Sequence, residues 1–347
     1  MKRIAYIDNL RWICVCLVVL FHVTDIFTCT GVPVHYNAPG IPAMDLIGYF
    51  VYPWFMALLF ILAGMSARES LKRRTAKEFA KERTKRLLLP FIAYTLIFSI
   101  PTAAFSFQIG GGWNDFAAVP KPVLLLIMYL IGLGHTWFLL ELYAISLVFL
   151  PFKKLEKHQK FMEKCENINI WIIILFVIPL YFAAQVLNVV EVFRNLFYLL
   201  LFLLGYFVFS NESVQNKLVK YRIPLLAAAL VMFVPQAYLS FGKGFAVSAK
   251  TPAAILYGYV MCLAMIGNGK VWLSFENGFT RYMSRRSFSV YLFHYLPMLL
   301  IAYFTVNVIK PPVWLSYVIV FVLSAAASVL ISEIIYRIKT AVKKRTL

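Results

Sequence analysis

Charge is what this sequence has least of. Asp, Glu, Lys and Arg together make up only 14% of its 347 residues, where a soluble domain carries about a quarter. With 62% hydrophobic residues and a mean hydropathy of +0.78, there is too little polar surface to enclose a water-soluble core. The chain therefore reads as an integral membrane protein. Acidic residues are the scarcest charges, 15 against 34 basic ones, for a net charge of +19. The five cysteines, Cys14, Cys16, Cys29, Cys165 and Cys262, form no CxxC pair and no zinc-like spacing. They count as small hydrophobes, and no metal site is expected from them. No solenoid-period repeat and no low-complexity tract is present, and no loop exceeds about 30 residues. A single membrane-embedded domain over 1–347 is expected, without an attached soluble domain.

Ten segments are long and apolar enough to cross a bilayer, which takes roughly 20 helical residues. They lie near 12–29, 46–66, 87–106, 136–152, 169–187, 194–210, 223–241, 252–269, 287–306 and 313–335. An eleventh run, Val123–Leu133, is too short to span and is expected to lie at an interface or to re-enter. The fold class is thus all-α and polytopic. A large basic excess suits nucleic-acid binding or membrane topology, and position decides between them. On a ten-span path 28 basic residues fall on one side and five on the other, with Arg11 left at the mouth of the first span. Basic loops stay in the cytoplasm, so both termini are expected inside a plasma membrane and nucleic acid is not needed as a partner. Lys2 and Arg3 before an apolar run resemble a signal peptide, but Arg11, His22 and Asp25 interrupt that run. A retained first helix is expected.

Ionisable groups inside a bilayer are costly and mark candidate sites. The first span holds Asp8, Arg11, His22 and Asp25. The eleven steps from Arg11 to His22 turn about 1100°, close to three full turns, so both share one face about 16 Å apart along the axis. Asp8, three residues before Arg11, joins that face as an ion-pair partner. Asp25, three residues after His22, is placed to orient its imidazole. In the ninth span Ser287, Tyr291 and His294 also share one face. In the fourth, Trp137 and Glu141 do so. Trp137 alone suits an aromatic-belt anchor, but anchoring does not call for the Glu141 carboxylate. Arg83 and Arg86, in the basic loop Arg68 to Arg86, could form a fork for a phosphate-bearing ligand.

Read in order, these pieces resemble the acyltransferase 3 family of integral-membrane acyltransferases. The matching elements are Asp8-Asn9-Leu10-Arg11 with Arg11-x10-His22, Phe60-Ile61-Leu62-Ala63-Gly64, Arg83-x-x-Arg86 with Leu87-Leu88-Leu89-Pro90-Phe91, His135-Thr136-Trp137-Phe138-Leu139, and Ser287-x-Ser-x-Tyr291-x-x-His294. The opening also resembles the subgroup that includes periplasmic-glucan succinyltransferases. The resemblance implies a ten-helix fold and a short acyl group, acetyl or succinyl, taken from cytosolic acyl-CoA. Acyl-CoA, acetyl-CoA above all, would be a donor substrate and not a resident cofactor. It further implies O-acylation of a carbohydrate or lipid-linked glycan at the outer face, a polysaccharide modification of the cell envelope. Arg11 and His22 match the family's essential pair, and Arg83 and Arg86 its loop arginines. Tyr291, His294 and Trp137 fall on motif positions of less settled role. Membrane lipids, acyl-CoA and the glycan are then the partners.

Acyl transfer to a hydroxyl needs a base, an oxyanion stabiliser and close positioning. His22 is the expected base, or a transient acyl carrier. Arg11 would hold the donor's phosphate or thioester end, and Arg83 and Arg86 its phosphates. Tyr291, Trp137 or His294 could donate to the oxyanion. The competing reading is a multi-span small-molecule transporter, but residues 174–347 show no second copy of the first-span motif of the kind repeated transporters carry.

Overall fold

The computed structural model describes residues 4–30, 40–110, 112–188 and 193–345. Lys2 and Arg3, part of the basic count above, lie outside them. Among the described residues the chain is helical throughout, with one isolated bridge between Asn188 and Arg194. Six helices pass the length and hydropathy test for a span, and ten segments pass if each of four bent pairs is one span. The protein is a multi-span, all-α membrane protein.

The helices are α1 (Ala5–Ile26), α2 (Pro42–Leu71), α3 (Ala76–Gly110), α4 (Lys121–Ile131), α5 (Gly134–Val148), α6 (Gln159–Asn167), α7 (Ile170–Gln185), α8 (Asn195–Phe209), α9 (Glu212–Lys220), α10 (Arg222–Ser240), α11 (Pro252–Trp272), α12 (Gly278–Phe293), α13 (Tyr295–Ile309) and α14 (Val313–Arg345). The bends fall between α4 and α5 (59°), α6 and α7 (97°), α8 and α9 (97°), and α12 and α13 (60°). Two have plain causes. Gly134 sits at φ +42°, in the left-handed region that favours glycine. Pro297 brings no N–H to the Phe293 carbonyl four residues back, and α12 ends at Phe293.

Several boundaries differ from the sequence reading. The basic segment Arg68 to Arg86 is not a long loop: α2 runs to Leu71 and α3 begins at Ala76. Thr75 caps α3 through a reciprocal pair, accepting from the Glu78 N–H at 3.2 Å while Glu78 Oε2 accepts from the Thr75 N–H at 2.8 Å. That capping box starts a helix in a polar stretch of good helix formers. The span expected at 287–306 is bent, with His294 at its break. The short run expected at 123–133 is α4, leading through its bend into α5.

The chain divides into two compact units. The first comprises Met1–Cys14, Tyr49–Phe91 and Trp137–Phe275. Its buried centre is the part of α2 that is apolar on every side, from Trp54 to Leu62, as expected for a helix surrounded by others. There α2 meets α8 backbone to backbone. A Cβ on Gly64 would lie 2.1 Å from the Phe202 carbonyl oxygen, and one on Gly205 would lie 2.2 Å from that of Ile61. The two glycines thus face each other's helix, the small-residue crossing that lets membrane helices pack closely. Tyr257 adds a hydrogen bond from its hydroxyl to the Phe50 carbonyl at 2.6 Å. The Asn9 amide reaches the carbonyls of Leu273 (2.8 Å) and Phe275 (3.0 Å).

The second unit comprises Val15–Gly48, Ile92–Thr136 and Glu276–Leu347. Its core gathers Val23, Ile26, Phe27, Met298, Leu299, Tyr317 and Val320. Arg286 of α12 and Glu333 of α14 tie two helices together: Nε and Nη2 of the arginine donate to one carboxylate oxygen at 3.0 and 2.6 Å. The Tyr336 ring lies 3.8 Å from the guanidinium. Glu333 also pairs with Arg337 at 2.9 Å. Arg286 is buried, so removing only its carboxylate strands a cation, whereas replacing both with neutral groups does not. Glu333→Gln is expected to lower the unfolding temperature in detergent. The double variant Arg286→Met with Glu333→Gln should recover most of the loss.

Candidate active site

Three of the five histidines meet inside the second unit. His22 comes from α1, His135 from the turn that Gly134 opens, and His294 from the break between α12 and α13. Ring centroids are 5.4 Å apart for His22 and His294, 4.7 Å for His135 and His294, and 6.4 Å for His22 and His135. Tyr295 packs against His22 at 5.0 Å and His135 at 5.2 Å, and Tyr94 lies edge-on to His135 at 5.2 Å. His135 and His294 are buried, while His22 keeps partial exposure.

The backbone sets two of the protonation patterns. His135 Nε2 lies 3.0 Å from the Leu292 carbonyl oxygen, and His294 Nδ1 lies 2.7 Å from that of Tyr291. A carbonyl only accepts, so each of these nitrogens carries the hydrogen. In the neutral rings His135 Nδ1 and His294 Nε2 are then bare lone pairs, and both are buried without a partner, as is His22 Nδ1. Buried polar atoms without partners are costly. The cluster therefore leaves acceptor positions open to an incoming hydrogen-bond donor.

The same geometry sorts the candidate oxyanion donors. The Tyr291 hydroxyl already donates to the His135 carbonyl at 2.5 Å. The free nitrogen of His294 is the unprotonated one. Asp25 is also corrected: it makes no hydrogen bond to His22 among the described residues. Its electrostatic neighbours are Asp45 and Tyr295. Three residues along a helix brings two side chains to one side but does not make them meet. His135 was quoted in the sequence only as part of a motif, and its place beside the other two was missed. The available signal was that three of five histidines sit in or beside apolar segments.

The remaining candidates belong to the first unit. α1 is unbroken, so Arg11 and His22 share its face as the helical period requires. Arg11 Nη1 pairs with Asp8 at 2.8 Å, and Nη2 donates to Ser66 Oγ and to the Leu62 carbonyl (3.2 Å). Arg83 lies over the Phe79 ring, 4.7 Å from its centroid, with its Nε buried and unpartnered. Arg86 is largely exposed and pairs with Glu82 at 3.1 Å, which also holds Arg74. The two arginines have different anchors in this structure, and Arg86 lies within a wide π-turn over Thr84–Leu88. Even so, Arg11, Arg74 and Arg86 all lie close enough to Arg83 to act on its charge. Such a concentration of cations attracts a polyanion.

Glu141 is buried, with Oε2 accepting from the Asn195 amide at 2.7 Å and Oε1 unpartnered. Trp137 stacks on Tyr198, with ring centroids 5.8 Å apart. Arg194, one of the five basic residues on the sparsely charged side of the ten-span path, is buried. It donates to the Tyr198 hydroxyl at 2.9 Å and the Ala249 carbonyl at 3.2 Å.

Comparison with known proteins adds two findings. A family model described as an acyltransferase domain matches residues 4–333. The chain is also 24% identical to Glucans biosynthesis protein C of Escherichia coli (strain SMS-3-5 / SECEC) over 365 aligned positions, covering 97% of this chain and 92% of that protein. No solved structure matches.

Proposed function

The chain belongs to the acyltransferase 3 family of membrane acyltransferases, and from that premise we propose that it transfers a short acyl group, acetyl or succinyl, from acyl-CoA to a hydroxyl of a carbohydrate or lipid-linked glycan. The observation that supports this reading is the histidine cluster, where the buried, unpartnered nitrogens of His135 and His294 belong to rings packed beside the partly exposed His22. The small-molecule-transporter alternative has no comparable support.

In the proposed reaction the acceptor hydroxyl approaches His22, which takes its proton as the alkoxide attacks the thioester carbonyl. The carbon–oxygen bond forms, the carbon–sulfur bond breaks, and the proton passes to the departing thiolate. His135 and His294 share the positive charge while it resides on the imidazoles. Arg83, with help from Arg11 and Arg86, meets the phosphates of the donor. The relative's name contains the word glucans, and a glucan is accordingly the first acceptor to test.

The experiment is acyl transfer by purified protein in lipid nanodiscs, given acetyl-CoA or succinyl-CoA and a glucan, read by thiol release and by the mass of the glucan. A mass gain of one acyl group per released thiol is expected. Neither product forming with any acyl-CoA would overturn the donor assignment. Arg83→Gln should raise KM for acyl-CoA about 10- to 100-fold, the size of one charge-assisted hydrogen bond, with kcat little changed. An unaltered KM would remove Arg83 from the donor site.

A further inference from the structure

One cavity lies apart from the histidines and arginines described above. In the first unit, α7 and α8 and the segment before them enclose an opening of about 430 Å³. It is lined by apolar side chains and one thiol, among them Phe152, Leu155, Phe161, Cys165, Leu204 and Phe207. Nothing in this lining could hold water in place, since an ordered water needs two or more polar partners.

The two segments that carry Phe152, Leu155, Phe161 and Cys165 are basic. Residues Leu150–Lys157 form a 3-10 turn on which Phe152 and Leu155, three apart, face the cavity together. On α6, Phe161 and Cys165 do the same at a spacing of four. Lys154, Lys157, Lys160 and Lys164 alternate with these residues, are exposed, and have no carboxylate within ion-pair distance among the described residues. Of the acids in the same stretch, Glu156 is held by the Tyr206 hydroxyl at 2.7 Å and Glu163 by Gln159 at 3.2 Å, and Glu166 is exposed. α6 meets α7 at 97°. An amphipathic helix lying across the direction of a candidate span is the posture of an interfacial helix, with its apolar face down and its lysines at headgroup level.

We propose that this cavity holds one acyl chain of an anionic phospholipid, whose phosphate is met by Lys154, Lys157, Lys160 and Lys164. Hydrocarbon suits a space whose lining offers no polar partner. The lysines select the headgroup, because each basic residue near a membrane surface favours anionic lipid. The proposal does not depend on the acyl-transfer reading.

The test is native mass spectrometry of the full-length protein equilibrated with phosphatidylglycerol and phosphatidylethanolamine of identical chains. One retained phosphatidylglycerol per protein is expected, in about tenfold or greater excess over phosphatidylethanolamine. Replacing the four lysines by glutamine should leave one bound lipid but abolish the headgroup preference. Leu200→Trp with Leu204→Trp, two lining positions whose larger rings take up part of the opening, should weaken retention of both lipids. A second readout needs no substitution: alkylation of Cys165, followed by peptide mass, should be slower with phosphatidylglycerol than with phosphatidylethanolamine. Equal retention of the two lipids by the unsubstituted protein would overturn the proposal. So would a headgroup preference that survives loss of the lysines, or Cys165 alkylation indifferent to the lipid supplied.

Discussion

His22→Ala is expected to lower kcat for acyl transfer about 100- to 10,000-fold, the range for loss of a positioned general base, while the protein stays folded. The two halves of that expectation rest on different facts. His22 makes no hydrogen bond among the described residues, so its removal strands no buried partner. Its neighbours on α1, Val23 and Ile26, carry the packing instead. His135 and His294 are different, since each satisfies a backbone carbonyl and alanine there would mix chemical with structural loss. The measurement is single-turnover transfer alongside thermal unfolding. Full activity in a normally folded His22→Ala protein would remove His22 from the reaction.

The largest effect on folding is expected at Gly64. A Cβ there meets the Phe202 carbonyl oxygen at 2.1 Å, and the reciprocal position Gly205 meets Ile61 equally closely. A backbone atom cannot rotate aside as a side chain can, so the two helices must separate. Overpacking typically costs about 1–3 kcal/mol; Gly64→Ala should reach at least that range, and Gly64→Leu should give no monodisperse protein in detergent. Gly244→Ala is the control, because nothing lies within 4 Å of its Cβ position. It should elute and unfold as the unsubstituted protein does. Normal folding of Gly64→Leu would mean that α2 and α8 do not cross at this point.

Gly64 also illustrates what could be read from the chain alone. Phe60-Ile61-Leu62-Ala63-Gly64 was visible as a motif, but its reason lies on α8, about 140 residues away, which local pattern does not reach. Hydropathy located the spans because a bilayer imposes a length and an apolar content on each. It could not show where they bend: the breaks at Gly134 and His294 depend on one glycine and one proline whose effect is conformational. Loop counting placed Arg194 on the sparsely charged side of the path, and a buried guanidinium bound to Tyr198 leaves no trace in a charge count. Helical period puts Arg11 and His22 on one face of α1. It could not bring His135 and His294 to His22, because packing in three dimensions is not periodic.

The hydrogen bonds from His135 and His294 to backbone carbonyls have a consequence for the order of events. At rest the pocket offers lone pairs, and lone pairs repel an oxyanion. Only after a proton arrives do His135 Nδ1 and His294 Nε2 become donors. Under the proposed chemistry that proton comes from the acceptor hydroxyl itself. The pocket is therefore unsuited to stabilising the tetrahedral intermediate until an acceptor has been deprotonated. Water admitted with the donor alone finds no prepared oxyanion site unless it too gives up a proton to His22. Under the proposed chemistry, the proton that leaves the nucleophile is thus the one that prepares the site for the oxyanion.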